Sequence, residues 1–414
     1  MSTSKRLDHR TLHWFRKGLR LHDNPALLHA CETSVEIWPV YVLNPDIITY
    51  GGNIGFNRWR FLMESLQDLD VQLRKLKSRL IVIQAENVKE TLQKYIKEWK
   101  ITKLTFEIEP EPHRKERDKE IMECLQESGV EMLGYHSLTL YDLSTIIKKN
   151  SGEPPLTYRK FQSVLKVLGQ PQRPRPCLTA EHFKNCVTPL LNNEDKIFQI
   201  PSLEELGIIP TAGELQVSRF PGGETVAIDR MNKCLENEEW INRFEKPQTS
   251  PNSLDPSTTV LSPYISFGCL SAKRFYWKLS EIYSRAKRHS SPPVSLHGQI
   301  LWREFYYTVG SVTPKFDQMK GNEVCLQVPW DVNDVYLKAW SEVRNSVLCE
   351  MFCIYHSLKT SPPLSPRTRL MSDFTSLQGR RILKFIQIVL FVEILSQAHR
   401  MRFLSAHFNQ PIFI

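Results

Sequence analysis

Residues 1–140 alternate between short apolar runs and segments of helical periodicity, and this alternation limits the fold more than any other feature of the chain. The apolar runs are rich in β-branched and aromatic residues, as buried strands are. Near-continuous apolar strands joined by helical crossovers indicate a parallel sheet that is covered on both faces. The predicted strands are 11–16, 35–43, 79–84, 103–109 and 130–135, and the predicted helices are 57–76, 88–99 and 114–127.

The turn after the first strand narrows the class of α/β protein. In parallel sheets of this kind the ligand crevice lies at the carboxyl ends of the strands. The first strand is followed by Gly18 and not by a G-x-G-x-x-G turn, which disfavours a dinucleotide-binding Rossmann enzyme. We therefore predict an α/β fold with a Rossmann-like, five-stranded parallel sheet that lacks this dinucleotide motif.

The composition changes beyond the predicted sheet. Prolines cluster between residues 141 and 222 and long periodic segments are absent, which indicates a linker. Helical spacing then returns, with predicted helices over 224–239, 272–286 and 299–309. The predicted divisions are an α/β domain at 1–140, an interdomain linker at 141–222, the first part of an all-helical domain at 223–342, and an unrelated, poorly packed tail at 343–414.

The net charge of +9 is concentrated near the carboxyl terminus. Residues 343–414 hold nine Lys and Arg against three Asp and Glu, so they account for +6 and the rest of the chain for only +3. Nucleic-acid binding by the main body must therefore be argued from a site and not from total charge.

The cysteines and the hydropathy of the chain indicate its cellular compartment and whether it spans a membrane or binds a metal. The nine cysteines are unevenly spaced, which fits a reducing, intracellular compartment. No apolar run reaches the length of about 18 residues that a membrane span needs, and the nearest candidate, 382–395, is interrupted by charges, so we expect no membrane partner. Cys349, Cys353 and His356 supply three ligands without a fourth, so we predict no metal site.

Five ordered segments carry a family signature. They read HWFRKGLRLHDNPAL at 13–27, NRWRFL at 57–62, PGGET at 221–225, LSPY with FGCLS at 261–271, and GQILWREFYY at 298–307. In this order they closely resemble photolyases and cryptochromes, and most of all the (6-4) photolyase and animal cryptochrome branch. The resemblance implies an antenna-type α/β domain followed by a partial all-helical FAD-binding domain.

The resemblance also implies a flavoprotein with FAD as its cofactor and an antenna chromophore of unknown identity. Hydroxyls and backbone N–H groups near a helix N-terminus can cradle phosphates, and the loop at 258–262 does this in the resembling family. The alternative for this loop is an ordinary Ser/Thr helix cap. The cofactor-binding residues that the resemblance implies are Lys246, Thr258, Thr259, Val260, Leu261, Ser262, Gln299 and Arg303.

One predicted helix is implied to carry both flavin and substrate contacts. Gln299, Trp302 and Arg303 share a helical face at spacing i, i+3 and i+4. By resemblance, Gln299 and Arg303 face the flavin, whereas Trp302 and Tyr306 border the pocket for the DNA lesion. Without the family, the spacing favours helix-core positions for Trp302 and Tyr306, and a solvated surface for Lys246.

The resemblance stops after Glu342. The paired histidines of (6-4) repair and the inner tryptophans of the family's electron chain are not recognisable beyond it, so we predict no catalytic residue and give Trp330 no working role. Residues 343–414 match no pattern of the family and look like a truncated or frame-altered product. We expect weakened or absent FAD binding, because half of the pocket would be missing.

Three functions remain open. The first is an enzyme of light-driven DNA repair, with UV-damaged DNA as its substrate and (6-4) photolyase as its family activity, impaired in this chain. The second is a cryptochrome, a blue-light photoreceptor or circadian-rhythm regulator that acts through protein partners. The third is a product with little activity. The resemblance to DNA-repair proteins places the chain in the nucleus or the cytoplasm.

Overall fold

The computed structural model describes residues 9–44, 54–189, 198–210, 217–245, 257–316 and 318–327. The predictions for Lys246, for Trp330, for the three metal-ligand candidates and for the tail at 343–414 lie outside these residues. The described residues up to Pro314 belong to one compact unit, and the turns from Lys315 to Gln327 belong to a second. The predicted domain boundaries stay a prediction.

The predicted five-stranded parallel sheet is confirmed. Its strands are β1 His9–Phe15, β2 Ser34–Leu43, β3 Ile81–Gln84, β4 Lys103–Glu107 and β5 Glu131–Tyr135. All neighbours pair in parallel, in the order β3-β2-β1-β4-β5. The winding direction reverses between β1, the central strand, and β4, so the carboxyl ends of these two strands form the topological switch point of the sheet.

Helices surround the sheet and continue beyond it. They are α1 Pro25–Thr33, α2 Phe56–Lys75, α3 Val88–Glu98, α4 Pro112–Gln126, α5 Leu143–Lys149, α6 Tyr158–Leu168, α7 Glu224–Glu236, α8 Glu238–Arg243, α9 Ser262–Ser266, α10 Ala272–Arg285 and α11 Leu296–Gly310. The predicted helix at 224–239 is divided at Asn237, whose side chain accepts from Trp240 N–H at 3.0 Å and so starts α8.

Two apolar cores cover the two faces of the sheet, because successive strand side chains point to opposite sides. Trp14, Val40 and Leu104 join a core with α3 and α4. Phe15 and Tyr41 join the other core, which also holds the buried leucines of α2 and buried residues from α7, α10 and α11. The helices after residue 224 therefore share one core with the sheet.

Two helices lie inside the segment predicted as a linker. Thr157 caps α6, since its hydroxyl accepts from Lys160 N–H at 3.2 Å, and α6 buries Phe161, Val164 and Leu165. Both α5 and α6 contact α11. The sequence did not indicate them because they are short and prolines lie between them, and the assignment of 141–222 as an interdomain linker stays a prediction.

Two further expectations can be compared with the described part of the chain. None of its helices has the length and apolar composition needed to cross a membrane. Its His, Cys, Asp and Glu side chains do not gather in a group of three that would hold a metal ion.

Candidate functional site

The loop before α9 is buried and tightly turned. Thr258, Thr259, Val260 and Leu261 are all buried. Val260 has a φ of +50°, a left-handed conformation that is unfavourable for a β-branched residue. Such strain persists only where the surrounding structure imposes it.

The hydroxyls of this loop do not cap the following helix. The N-cap of α9 is Leu261, with no side-chain hydrogen bond at the cap. Thr259 Oγ1 accepts from Leu261 N–H at 3.4 Å, and the Thr259 carbonyl accepts from Arg230 Nε at 2.8 Å. The geometry therefore speaks against the alternative of an ordinary helix cap.

Helix α11 is held on the segment at 138–141 by two consecutive side chains. Arg303 Nη1 donates to the Leu138 carbonyl at 2.9 Å. The carboxylate of Glu304 accepts from the N–H groups of Leu140 and Tyr141, each at 2.9 Å. Burial raises the pKa of Glu304 although these two N–H groups oppose the shift. Sequence reasoning did not indicate Glu304, which binds α11 to the chain at 140–141.

Trp302 and Tyr306, the two residues of α11 that are implied to border the lesion pocket, belong to an aromatic cluster. Its other members are Phe305 of α11 and Tyr158 of α6. Tyr158 and Trp302 stack with ring centroids 4.0 Å apart and planes inclined by 12°. Trp302 and Tyr306 lie 5.8 Å apart at 29°. Tyr306 is 46% exposed and Trp302 is half-buried, so neither is an ordinary core residue.

Tyr158 is a member of this cluster that the sequence did not indicate. Its ring also meets Phe305 edge-on at 5.9 Å. Its hydroxyl is buried without a hydrogen-bond partner among the described residues, and burial raises the pKa of Tyr158 to about 12. The sequence did contain one signal for the helix that carries Tyr158, namely Thr157, a capping residue directly before an apolar periodic run.

Two implied cofactor residues have unsatisfied polar atoms. Thr258 Oγ1 and Arg303 Nη2 are both buried, and neither has a hydrogen-bond partner in the described part of the chain. Leaving a buried donor unpaired costs roughly 1–3 kcal/mol. A hydroxyl and a guanidinium are suitable donors for the phosphate and carbonyl oxygens of FAD, so the residues present fit this cofactor.

The implied site residues fall into two groups. Trp302 and Tyr306 touch each other, and Arg303 is their neighbour on α11. Gln299 is half-buried near the start of the same helix. No described hydrogen bond or ring contact joins these residues to the loop at 258–262, whose Ser262 is half-buried.

The switch point between β1 and β4 is filled by ion pairs. Arg16 Nη1 donates to Asp118 at 2.6 Å, and Arg114 Nη1 lies 2.9 Å from the carboxylate of Glu109. Burial alone raises the pKa of Glu109, but the adjacent arginines outweigh it and hold that pKa well below its usual range. These pairs fasten α4 to the strand ends where parallel sheets commonly bind ligands.

Comparisons with known proteins agree with this architecture. The DNA photolyase family model matches residues 11–177. Cryptochrome-1 of Macaca fascicularis is 48% identical over 333 residues, covering 80% of this chain and 56% of that protein. Cryptochrome-2 of Gallus gallus is 45% identical over the same length. This chain thus spans little more than half of these relatives.

Solved structures show the same fold at lower identity. A bacterial class III photolyase from Agrobacterium tumefaciens superposes with a TM-score of 0.64 at 24% identity, covering 80% of this chain and 65% of that one. A cryptochrome from Synechocystis sp. PCC6803 gives 0.62 at 22% identity, covering 81% of this chain and 68% of that one.

Proposed function

Because this chain belongs to the photolyase and cryptochrome family, we propose that it is a flavoprotein for light-driven repair of UV-damaged DNA, of the (6-4) photolyase type. The aromatic cluster carries the proposal. An enzyme that acts on a damaged base takes the base out of the duplex and stacks it between aromatic side chains. Trp302 and Tyr306 offer such rings beside Arg303 on one helix, and Tyr306 is exposed.

In this proposal the chain's own residues bind and orient. The chemistry that a bound flavin would supply is light-driven transfer of an electron from its reduced form to the damaged pyrimidine pair. The Thr258 hydroxyl, with the N–H groups of its loop and with Lys246, holds the phosphates of FAD. Arg303, whose Nη1 is bound to the Leu138 carbonyl, has an unpaired Nη2 that would be available to donate to the flavin.

The same proposal includes that FAD binding and repair are impaired in this chain. The residues after Glu342 do not resemble the half of the family that carries the paired histidines. A cofactor cavity with fewer walls buries less of its ligand, and burial contributes about 25 cal/mol per Å² of apolar surface.

A second candidate is a cryptochrome that regulates circadian rhythm or responds to blue light through protein partners. The names of the curated relatives favour it, since those at 45–48% identity are cryptochromes. Both candidates imply a nuclear or cytoplasmic protein, and neither requires a membrane.

The proposal is tested first by cofactor retention. The purified full chain, titrated with FAD, should show flavin absorbance bands and quenched flavin fluorescence. Thr258→Val, which removes the unpaired hydroxyl at nearly constant volume, should weaken FAD binding by about tenfold, the value of a hydrogen bond to a charged group. Thr145→Val, at an exposed position of α5, should not.

Illumination of the FAD-loaded chain with a (6-4)-damaged duplex then separates the two candidates. Slow loss of the photoproduct under blue light, abolished in Trp302→Ala, is the result that repair requires. A chain that retains FAD and responds to light but leaves the photoproduct intact favours the cryptochrome. A chain that binds no FAD at any concentration contradicts both.

A further inference from the structure

Residues 178–188 form a short segment, here called the edge segment, that lies along one edge of β2. Among the described strands, β3 pairs with the second half of β2 and does not reach its first residues on that edge. There Ile37 N–H donates to the Val187 carbonyl at 2.9 Å, and Val187 N–H donates to the Val35 carbonyl at 3.0 Å. The edge segment therefore supplies hydrogen-bond partners for strand groups that β3 leaves unpaired.

The edge segment is joined to the rest of the chain near its two ends. Besides the bonds of Val187, Leu178 N–H donates to the Leu21 carbonyl at 3.3 Å. Between these points Phe183 and Cys186 are buried in the apolar core. In the described part of the chain the pairing with β2 is an isolated bridge and not a continuous ladder, so the edge segment belongs to the parts of a fold that open most readily.

Cys31, in the last turn of α1, meets Cys186 of the edge segment. Both side chains are buried, and the two thiols lie within hydrogen-bonding reach of each other. Burial and the neighbouring Cys186 raise the pKa of Cys31 above its ordinary value, so the slowly reacting thiol form prevails at neutral pH. Two thiols in contact can close a disulfide, because this bond needs side chains that already face each other.

A cavity at the surface gives small polar molecules access to Cys31. Its lining residues are Cys31, Glu32, Glu181, His182 and Asn185. Thr179 N–H donates to His182 Nδ1 at 3.0 Å and so fixes the ring at the cavity wall. Apart from Cys31 the lining side chains are polar, so the cavity suits water and solutes of similar size, such as hydrogen peroxide.

We propose that Cys31 and Cys186 form a redox-sensitive pair whose disulfide holds the edge segment on β2 when peroxide is present. The Cys31 sulfur attacks one oxygen of hydrogen peroxide, the O–O bond breaks, and a sulfenic acid and one water are formed. The Cys186 sulfur then attacks the Cys31 sulfur, the S–O bond breaks, and a second water leaves with the Cys186 proton. The two thiols lose two electrons and two protons, and peroxide becomes two water molecules.

Neither flavin nor DNA takes part in this step, so the pair is tested apart from the proposed function. The full chain is reduced, freed of reductant and exposed to hydrogen peroxide while folded, and the remaining thiols are blocked with N-ethylmaleimide. Digestion without reductant should yield a peptide that joins Cys31 to Cys186 and lacks two hydrogen atoms relative to the two separate peptides. Reduction before blocking should return the separate peptides.

Two variants distinguish this pair from general thiol oxidation. Cys186→Ser removes the second sulfur, so peroxide should leave Cys31 as a sulfenic acid that dimedone labels, whereas the wild type should carry little label there. Cys177→Ser, the matched control, removes an exposed cysteine just before the edge segment and should leave the linked peptide unchanged. A folded wild type without the linked peptide, or one in which Cys31 is linked to Cys177 instead, overturns the proposal.

Hydrogen exchange measures whether the disulfide holds the edge segment. The amides of Ile37 and Val187 are protected by the pairing of this segment with β2, so their exchange should slow by about tenfold or more when the wild type is oxidised. Amides of Val40–Leu43, where β2 pairs with β3, should keep their rates. In Cys186→Ser, peroxide should slow neither set. Unchanged rates at Ile37 and Val187 after the linked peptide has formed would refute the holding role of the disulfide.

Discussion

At the scale of single residues, two glycines allow the loop after β1 to lie directly against the segment after α9. The N–H groups of Gly18 and Leu19 donate to the Phe267 carbonyl at 3.2 and 3.4 Å. Gly268 has a φ of +71°, and a Cβ atom placed on it would lie 2.1 Å from Gly18 N. The contact joins two backbone segments of the same chain, so no side chain can rotate away to make room for a Cβ atom.

Gly268→Ala should therefore destabilise the protein by about 3 kcal/mol or more, the combined cost of a left-handed alanine and a displaced backbone. Gly152→Ala is the matched control. Gly152 has a φ of +88°, but no atom lies within 4 Å of its added Cβ, so this variant should lose only about 1–2 kcal/mol. Urea unfolding of both variants measures the difference. Equal losses would show that space at Gly268 is not limiting.

Residue-level prediction from the sequence succeeded where spacing along one helix was enough. The helical spacing placed Gln299, Trp302 and Arg303 on α11, and the structure puts all three there. Tyr158 could not be found in this way. Its stacking depends on how α6 crosses α11, which only tertiary packing decides. The hydrogen bonds of Glu304 to the chain at 140–141 depend on tertiary packing for the same reason.

At the scale of elements, period-2 and period-3.6 patterns located the longer strands and helices, because each of these buries one face or both. The prediction of 57–76 and the helix Phe56–Lys75 agree closely. The short helices α1, α5, α6 and α9 were missed. A proline is the first residue of α1 and the second of α9, and helices of five to eleven residues show too few turns for a period to stand out.

Helix α6 offers a test of element packing. Phe161 is fully buried and meets Phe305 at 5.6 Å, so Phe161→Ala should lower the free energy of unfolding by about 3–5 kcal/mol. Val167, on the same helix, is 65% exposed, and Val167→Ala should change it by less than about 0.5 kcal/mol. Chemical denaturation checks both values. Near-UV circular dichroism should also change only in the first variant, because Phe161 supports the ring stack around Trp302.

At the scale of the whole molecule, a buried polar link joins the chain after β1 to two later helices. His22 Nδ1 bonds to Glu224, and His22 Nε2 accepts from Ser271 N–H at 3.0 Å. Glu224 also accepts from Leu21 N–H at 2.7 Å. The described residues thus hold together through polar contacts between distant parts of the sequence as well as through apolar cores.

This link predicts the acid sensitivity of the fold. Burial lowers the pKa of His22 below its ordinary 6.5, and burial with nearby Arg16 lowers that of His13 to about 3. Unfolded histidines bind protons more readily than these two, so the free energy of unfolding should decrease as the pH falls below 6.5. Each group contributes a slope of up to about 1.4 kcal/mol per pH unit.

His22→Gln tests that assignment, because an amide can keep both hydrogen bonds without titrating. Between pH 6.5 and 5 the free energy of unfolding of this variant should fall less steeply than that of the wild type. The slopes should differ by the contribution of one titrating group, up to about 1.4 kcal/mol per pH unit. Denaturant titrations at several pH values measure the slopes. Identical slopes would assign the acid sensitivity to other groups.

The pairing of β1 has a consequence for synthesis on the ribosome. β1 lies in the middle of the sheet, yet its partner β4 begins only at Lys103, and the Glu224 carboxylate that binds the chain after β1 comes later still. The nascent chain therefore emerges with an apolar strand whose second edge has no neighbour until much more has been translated. Such an edge invites association with other chains, so the yield of native protein should depend on chaperones that shield early nascent segments.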